Sequence, residues 1–414
     1  MDAQKLARLR TDLASFLDDV AGDLGHPRRR RWCDASLRGI LLDGHRKSVE
    51  PMASRLKAVE QGSEDYEQAL QQFLNQSPWD EREVLDGLQR WVGRRFGNEG
   101  YLIIDDTGFP KQGAHSVGVA RQSTGTLGKV ASCQAAVTLQ FAAASQVVAL
   151  DARLYLPQAW TDDRERMSKA GVPDEVGYEP KWKTALAMLR RADANGLRGV
   201  VLADSLFGTV TEFREQLDAD GLAYCVGIDS TLKVVAADAD LGAVPPYAGT
   251  GRPPTRPAKV RRGAASPSVK GWAVDRAKDF RTVTWRQGSR GRRKGRFAAR
   301  RVRPAHKLSS GREPLSACWL LAEWPKDAGQ PTKYFFSNLP ASTSRKKLVD
   351  TAKSRWWVEH SYRELKDELG LDHFEGRSWR GWNHHVALVL MAYAFLQDVR
   401  RRRPKKTRPA IPTG

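Results

Sequence analysis

The sequence predicts an α/β fold in which a mixed five-stranded sheet with helices is preceded by a helical region and interrupted by a mostly β segment. Three observations carry this. Apolar residues recur at helical spacing within residues 1–96. Between 97 and 228, short apolar or branched runs alternate with helical stretches, and two of those runs end in aspartate. Beyond 234 the pattern turns to Pro/Gly-rich pieces and short aromatic runs before returning to helix near residue 343.

In the first region, Ser48 can cap a helix through Met52 and Leu56. Ser77-Pro78-Trp79-Asp80-Glu81 is a stronger start, with Ser at the cap, Pro at the first helical position and acids in the first turn. Val84, Leu85, Leu88 and Trp91 continue it as one apolar stripe. The run Arg28–Arg31 precedes this helical set; such a run is either a solvated face or a DNA contact, with Arg28 and Arg29 the candidates.

The α/β region opens with a strand over Tyr101–Asp106. A Gly-rich connection follows, then a hairpin of strands over Ser132–Ala142 and Gln146–Leu156. Trp182, Ala185, Met188 and Leu189 predict a helix over Lys181–Ala192. Arg198–Asp204 is a fourth strand, Val210–Leu217 a helix and Leu222–Ile228 a fifth strand. Three meandering strands, a crossover helix and strand–helix–strand is the order of a ribonuclease-H-like domain. Its first and fourth strands are neighbours, which would bring Asp106 and Asp204 together.

Strand-like pieces at Arg281–Arg286, Phe297–Val302, Ala317–Leu321 and Lys333–Phe336 predict a mostly β insertion, with Gly288–Lys294 a mobile loop. Thr343–Leu369 reads as one helix ended by Gly370, and Trp382–Arg400 as a second. The expected organisation is a helical N-terminal domain (1–96), an α/β ribonuclease-H-like domain (97–234 and 335–400), a basic β-rich insertion (235–334) and a disordered basic tail (401–414).

Charge narrows the partner. The chain has 414 residues and a formal net charge of +20. Residues 251–310 alone carry +17, from 19 Lys/Arg against Asp275 and Asp279, and Arg400–Arg408 adds seven cations. A focused excess of this size favours a polyanionic partner, with Arg292, Arg293 and Lys294 as candidate contacts. Four scattered cysteines without a CxxC pair read as reduced, mostly buried thiols. No apolar signal core or membrane-length run is present, so a soluble, cytoplasmic, nucleoid-associated protein is expected. His384-His385 reads as part of a helix surface rather than a ligand pair. The glycines between Gly113 and Gly128 lack a GxxxxGK[ST] pattern and read as a strand connection rather than a nucleotide site.

A lone carboxylate at the tip of a buried strand loses solvent and is costly unless a cation or reacting group sits against it. Asp106 and Asp204 are such residues. With a helical carboxylate, Glu359, they are the donor set that holds Mg²⁺ beside a phosphate. Arg355, Glu359, Tyr362/Arg363 and Lys366 share one face of a regular helix, although an exposed face laced with salt bridges has the same spacing.

These segments also resemble a known family. Ile104-Asp-Asp-Thr-Gly-Phe-Pro-Lys-Gln-Gly113, Val201-Leu-Ala-Asp-Ser205 and Arg355-x₃-Glu359-x₆-Lys366 are similar to the DDE transposases of bacterial insertion sequences. More narrowly, the chain resembles their insertion-sequence-701 branch, related to the insertion-sequence-4 group. His45–Met52, Gln76–Asp80, Leu154–Pro157 and Leu369–Asp372 extend the likeness over nearly the whole chain, most weakly over 235–330 and the tail. The resemblance implies Asp106 as first catalytic aspartate (Asp105 the runner-up), Asp204 as second and Glu359 as the glutamate. Arg355 and Lys366 then contact phosphate, with Arg363 on the same face. Where the related group carries a tyrosine, this chain has Ala352, so that contact is absent or supplied elsewhere, as by a tryptophan of the insertion.

The implied activity uses two Mg²⁺ ions, for which Mn²⁺ can substitute, about 3.5–4 Å apart. Water cuts the ends of the element, and the freed 3′-OH then attacks target DNA. Terminal inverted repeats and target DNA are the implied partners, and handling two ends implies a homodimer on DNA. Two other readings fit the same composition: a catalytically silent DNA-binding regulator on this scaffold, and a structure-specific nuclease of similar fold.

Overall fold

The computed structural model describes residues 3–402 except 23, 61–63, 125–127, 144–145, 241–245, 252, 254–265, 289–290 and 306–315. The architecture is mixed α/β. The chain divides into two compact units, one of residues 1–198 with 356–414 and one of residues 199–355.

The first unit opens with α1 (Ala3–Ala21), α2 (Pro27–Leu41), α3 (Val49–Glu60), α4 (Tyr66–Asn75) and α5 (Glu81–Phe96). The helical reading of this region holds, and Arg28–Arg31 lies inside the first turns of α2 rather than ahead of a helix. The start of α5 is also corrected. Its cap is Asp80, whose carboxylate accepts from the Arg82 N–H at 2.6 Å, not Ser77. Residues 77–79 instead form a connection that buries Trp79 between the Phe73 and His384 rings.

The sheet of this unit holds β1 (Glu99–Pro110), β2 (Ala120–Thr124), β3 (Lys129–Ala143) and β4 (Gln146–Tyr155). β3 pairs antiparallel with β1, with β2 and with β4. β2 lies in the expected Gly-rich connection and was not anticipated; its residues Ala-Arg-Gln-Ser-Thr have no apolar alternation, and only pairing with β3 makes them a strand. The short helices α6 (Gln158–Thr161) and α7 (Arg164–Lys169) precede α8 (Lys181–Ala194).

The C-terminal helix, Trp379–Arg402, is buried along nearly all of its length and packs on β4 and on α2, α4 and α5. Phe395 meets Phe16 of α1, which meets Trp91 of α5 at 4.7 Å. The N-terminal helices therefore share one core with the end of the chain. His384 and His385 are part of that core, correcting their reading as a helix surface. His384 reaches the carbonyls of Leu74 and Trp79, and His385 reaches that of Gly370 at 3.0 Å. Burial pushes the His385 imidazole down to about 4.

The second unit holds β5 (Arg198–Ala203, which begins at the boundary), α9 (Ser205–Gly208), α10 (Thr211–Ala219), β6 (Tyr224–Ile228) and β7 (Val234–Ala236). Next come an unanticipated helix at Val269–Val274, then β8 (Arg281–Gly288), β9 (Gly291–Pro304), β10 (Cys318–Trp324) and β11 (Lys333–Ser337). β5 runs parallel to β6, and the order continues β6-β11-β10-β9-β7, with β8 on β9. The basic β segment is thus an extension of the β6 edge, joined through β11.

Gly288–Lys294, expected as a loop, is mostly strand. The β8–β9 ladder runs out to Gly288 opposite Gly291, which takes φ +103°; residues 289–290 lie outside the described set. The expected single helix over Thr343–Leu369 is broken. Arg345–Lys353 ends in a 3₁₀ turn at Ser354–Trp356, Trp357–Arg363 is α-helical, and Glu364–Glu368 widens into a π turn. The expected tail lies, from residue 403, outside the described residues. All four cysteines are free and buried, as expected.

Candidate active site

Asp106 lies on β1, which pairs with β3 and is buried from Tyr101 to Phe109 except at Asp106 itself. Adjacent strand residues face opposite sides. Asp105 is 9% exposed and accepts the Asp106 backbone N–H on its Oδ1 at 2.9 Å. The Asp106 carboxylate is partly exposed, and its Oδ2 lies 2.5 Å from the Lys181 ammonium. The cation that such a carboxylate needs is therefore supplied by the first residue of α8.

Lys181 was missed as a site residue. One signal was available: it stands in the first turn of a helix that has no acid there. A cation at a helix N-terminus opposes the helix dipole and calls for a nearby anion. The same ammonium lies 5.1 Å from the centre of the Tyr155 ring at the end of β4. Burial, followed by the hydrogen bond with Tyr178, pushes the Tyr155 phenol up to about 12.

The helix Trp357–Arg363 docks on this same sheet. Its buried residues are Trp357, Val358 and Ser361. Ser361 donates to the Gln140 side chain on β3, and the Tyr362 hydroxyl meets Thr138 Oγ1 at 2.5 Å. Glu359 and Arg363 are exposed. Lys366 donates to the Gly108 carbonyl of β1 at 2.9 Å and lies over the Phe109 ring, and burial holds its ammonium below the usual lysine range. Asp106, Lys366 and the helix bearing Glu359 are thus attached to one pair of strands.

The π turn has a visible cause. Glu364 accepts from Gln397 at 2.9 Å, Tyr393 at 3.1 Å and Arg400 at 2.5 Å, all on the C-terminal helix. The Leu369 N–H returns five residues to the Glu364 carbonyl. Glu364 was also missed, because its partners lie some thirty residues on. The regular helix that put Arg355, Glu359, Arg363 and Lys366 on one face is therefore interrupted on both sides of Glu359. Arg355 belongs to the second unit and is half-buried.

In the second unit, Asp204 follows the last residue of β5 and caps α9, its Oδ1 accepting the Leu206 N–H at 3.0 Å. Two glycines fix this turn. A Cβ on Gly208 would lie 2.0 Å from the Gly227 carbonyl, and one on Gly227 would lie 3.1 Å from the Ser205 nitrogen. Gly208 thus has no room for a side chain and Gly227 little, so the Asp204 turn rests closely on β6.

Arg292, Arg293 and Lys294 are exposed on β9, opposite Gln287, Arg286 and Thr284 of β8. Arg286 facing Arg293 is a like-charge pair across a ladder, which costs stability. The candidates in α2 differ from each other. Arg28 is exposed, whereas Arg29 donates to the Leu24 carbonyl at 2.9 Å. Arg30 and Arg31 pair with Asp18 and Glu64. Three of the four arginines thus tie elements of this unit together.

Within either unit, the described residues contain no group of three or more His, Cys, Asp or Glu side chains placed to hold a metal ion. Among them, no helix is long and apolar enough to cross a membrane.

A partly exposed aspartate within β1, an aspartate capping the turn after β5, a docked helix bearing Glu359 and an exposed basic ribbon agree with what sequence comparison finds. Residues 19–292 match the DDE superfamily endonucleases, and the chain belongs to that family. Over 195 residues it is 34% identical to the probable transposase for insertion sequence element IS701 of Microchaete diplosiphon. That stretch is 46% of this chain and 47% of the relative, so the match spans about half of each. The resemblance to the insertion-sequence-701 branch is borne out.

Proposed function

We propose that this chain is an insertion-sequence transposase with a ribonuclease-H-like catalytic fold. It cuts the ends of its element by metal-dependent phosphodiester hydrolysis and joins the 3′-OH ends to target DNA. The observation that carries this reading is the Asp106 carboxylate, set on a buried strand paired with β3 and with a cation 2.5 Å away, in a chain of the DDE endonuclease superfamily.

Asp106, Asp204 and Glu359 are the proposed metal ligands. Three carboxylates are a hard oxygen donor set, which suits Mg²⁺ or Mn²⁺ rather than thiolate-seeking metals. The contact with Lys181 supports the fit at Asp106, since this carboxylate already accepts a positive charge. When bound, two such ions would activate water and stabilise charge on the attacking and leaving oxygens. The protein's own groups do the rest. Lys366 fixes the helix bearing Glu359 to β1 beside Asp106. Arg363, Arg355 and the β8–β9 ribbon offer cations to DNA phosphates, and two element ends call for two copies of the chain on DNA.

Replacing Asp106, Asp204 or Glu359 by Ala is expected to abolish metal-dependent nicking of element ends and to leave DNA affinity within about twofold, since none of them supplies positive charge. Both are measured on the same duplex, nicking by gel and affinity by titration. Nicking at the normal rate in all three variants would refute the assignment.

A further inference from the structure

We propose that Lys181 is the positioning residue for Asp106: in the metal-free protein its ammonium holds the carboxylate oxygen that a divalent cation would take, and it must leave before the ion binds there. This rests on the reading of Asp106 as a metal ligand.

The geometry is specific. Lys181 Nζ lies 2.5 Å from Asp106 Oδ2, with the two side chains only 19% and 28% exposed. A pair so withdrawn from water is screened less than one on the open surface. The ammonium is also held over the Tyr155 ring, so β1, β4 and the start of α8 converge on one charge. Its position at the head of α8 is one that the helix dipole disfavours. With no acid in that turn, the attraction that offsets this comes from Asp106.

A divalent ion on the same oxygen would face a like charge at contact distance, so ammonium and ion exclude one another there. A nearby DNA phosphate is the natural acceptor for the displaced ammonium. Cation binding and phosphate binding are then coupled through a single side chain, and each favours the other.

Mn²⁺ alone is the probe, titrated into the full chain without DNA and followed by the electron paramagnetic resonance signal of the free ion. Lys181→Met removes the charge at similar length and is expected to tighten the Asp106-dependent site roughly three- to tenfold, the size of a partly buried ion-pair contribution. Lys181→Arg keeps the charge and is expected to bind as the parent does. Lys181→Gln serves as a second neutral variant if the methionine form does not fold.

Unchanged or weaker binding in the neutral variant overturns the inference. Asp106→Asn separates the two ideas. If it abolishes the Mn²⁺ site while the neutral lysine variant shows no gain, only the role of Lys181 falls. If it leaves Mn²⁺ binding intact, the metal-ligand reading of Asp106 falls, and this inference with it.

Discussion

His385 is a buried imidazole whose ring nitrogen reaches a backbone carbonyl, and Lys111 and His373 nearby add positive charge that further disfavours its protonation. Its folded value of about 4 lies below the ordinary 6.5, so the unfolded chain takes up this proton first as pH falls. Stability from this residue is therefore complete above the unfolded value and is lost between pH 6.5 and 4, by about 3 kcal/mol for the 2.5-unit difference. The midpoint of thermal unfolding is expected to drop from pH 7 to pH 5, and His385→Gln is expected to flatten part of that fall. At this scale the sequence was legible where chemistry is local. Asp204 announced itself by ending an apolar run and does follow the last residue of β5; Asp106 also ended such a run, but β1 continues past it to Pro110, so it lies within its strand and not at the expected tip. Lys181 and Glu364 showed no such sign, because what gives each its meaning is a partner 75 residues back or about thirty residues ahead. The buried histidine pair was misread because adjacent helix residues seldom both face inward, and nothing local reveals that this helix is enclosed all round.

Among elements, the apolar strands were readable from their runs, whereas β2 exists only through its ladder with β3. The β8–β9 ribbon was half legible: its branched and aromatic residues marked strands, but the cationic stretch at its turn suggested a loop. Placing Arg286 against Arg293 costs local stability, which phosphates would restore in the proposed DNA complex. With about eight phosphates neutralised overall, affinity should fall roughly 10⁴-fold between 50 and 200 mM salt. Reversing the charges at Arg292, Arg293, Lys294, Arg296, Arg300 and Arg301 is expected to flatten that slope in a salt titration; an unchanged slope removes the ribbon from the DNA footprint. The break after Glu359 was not foreseen, because the π turn at Glu364–Glu368 goes with contacts from Glu364 to Gln397 and Arg400, some thirty residues further along the chain. The spacing between Glu359 and Lys366 is therefore the spacing of a bulged helix.

For the molecule as a whole, the first unit is built from both ends of the chain, with residues 199–355 between them. Trp379–Arg402 packs on α2, α4, α5 and β4, and its Phe395 meets Phe16, which in turn meets Trp91. A chain stopped after residue 355 is expected to expose this apolar surface. Rapid cleavage of residues 1–198 in limited proteolysis, compared with the full chain, is the measurement. The arrangement also sets an order of events during synthesis. The opening helices emerge from the ribosome long before the segment they enclose, and they wait for it with their inner faces uncovered. A product released before that segment is made lacks its keystone, so the opening helices and β4 keep an uncovered apolar face until Trp379–Arg402 has emerged.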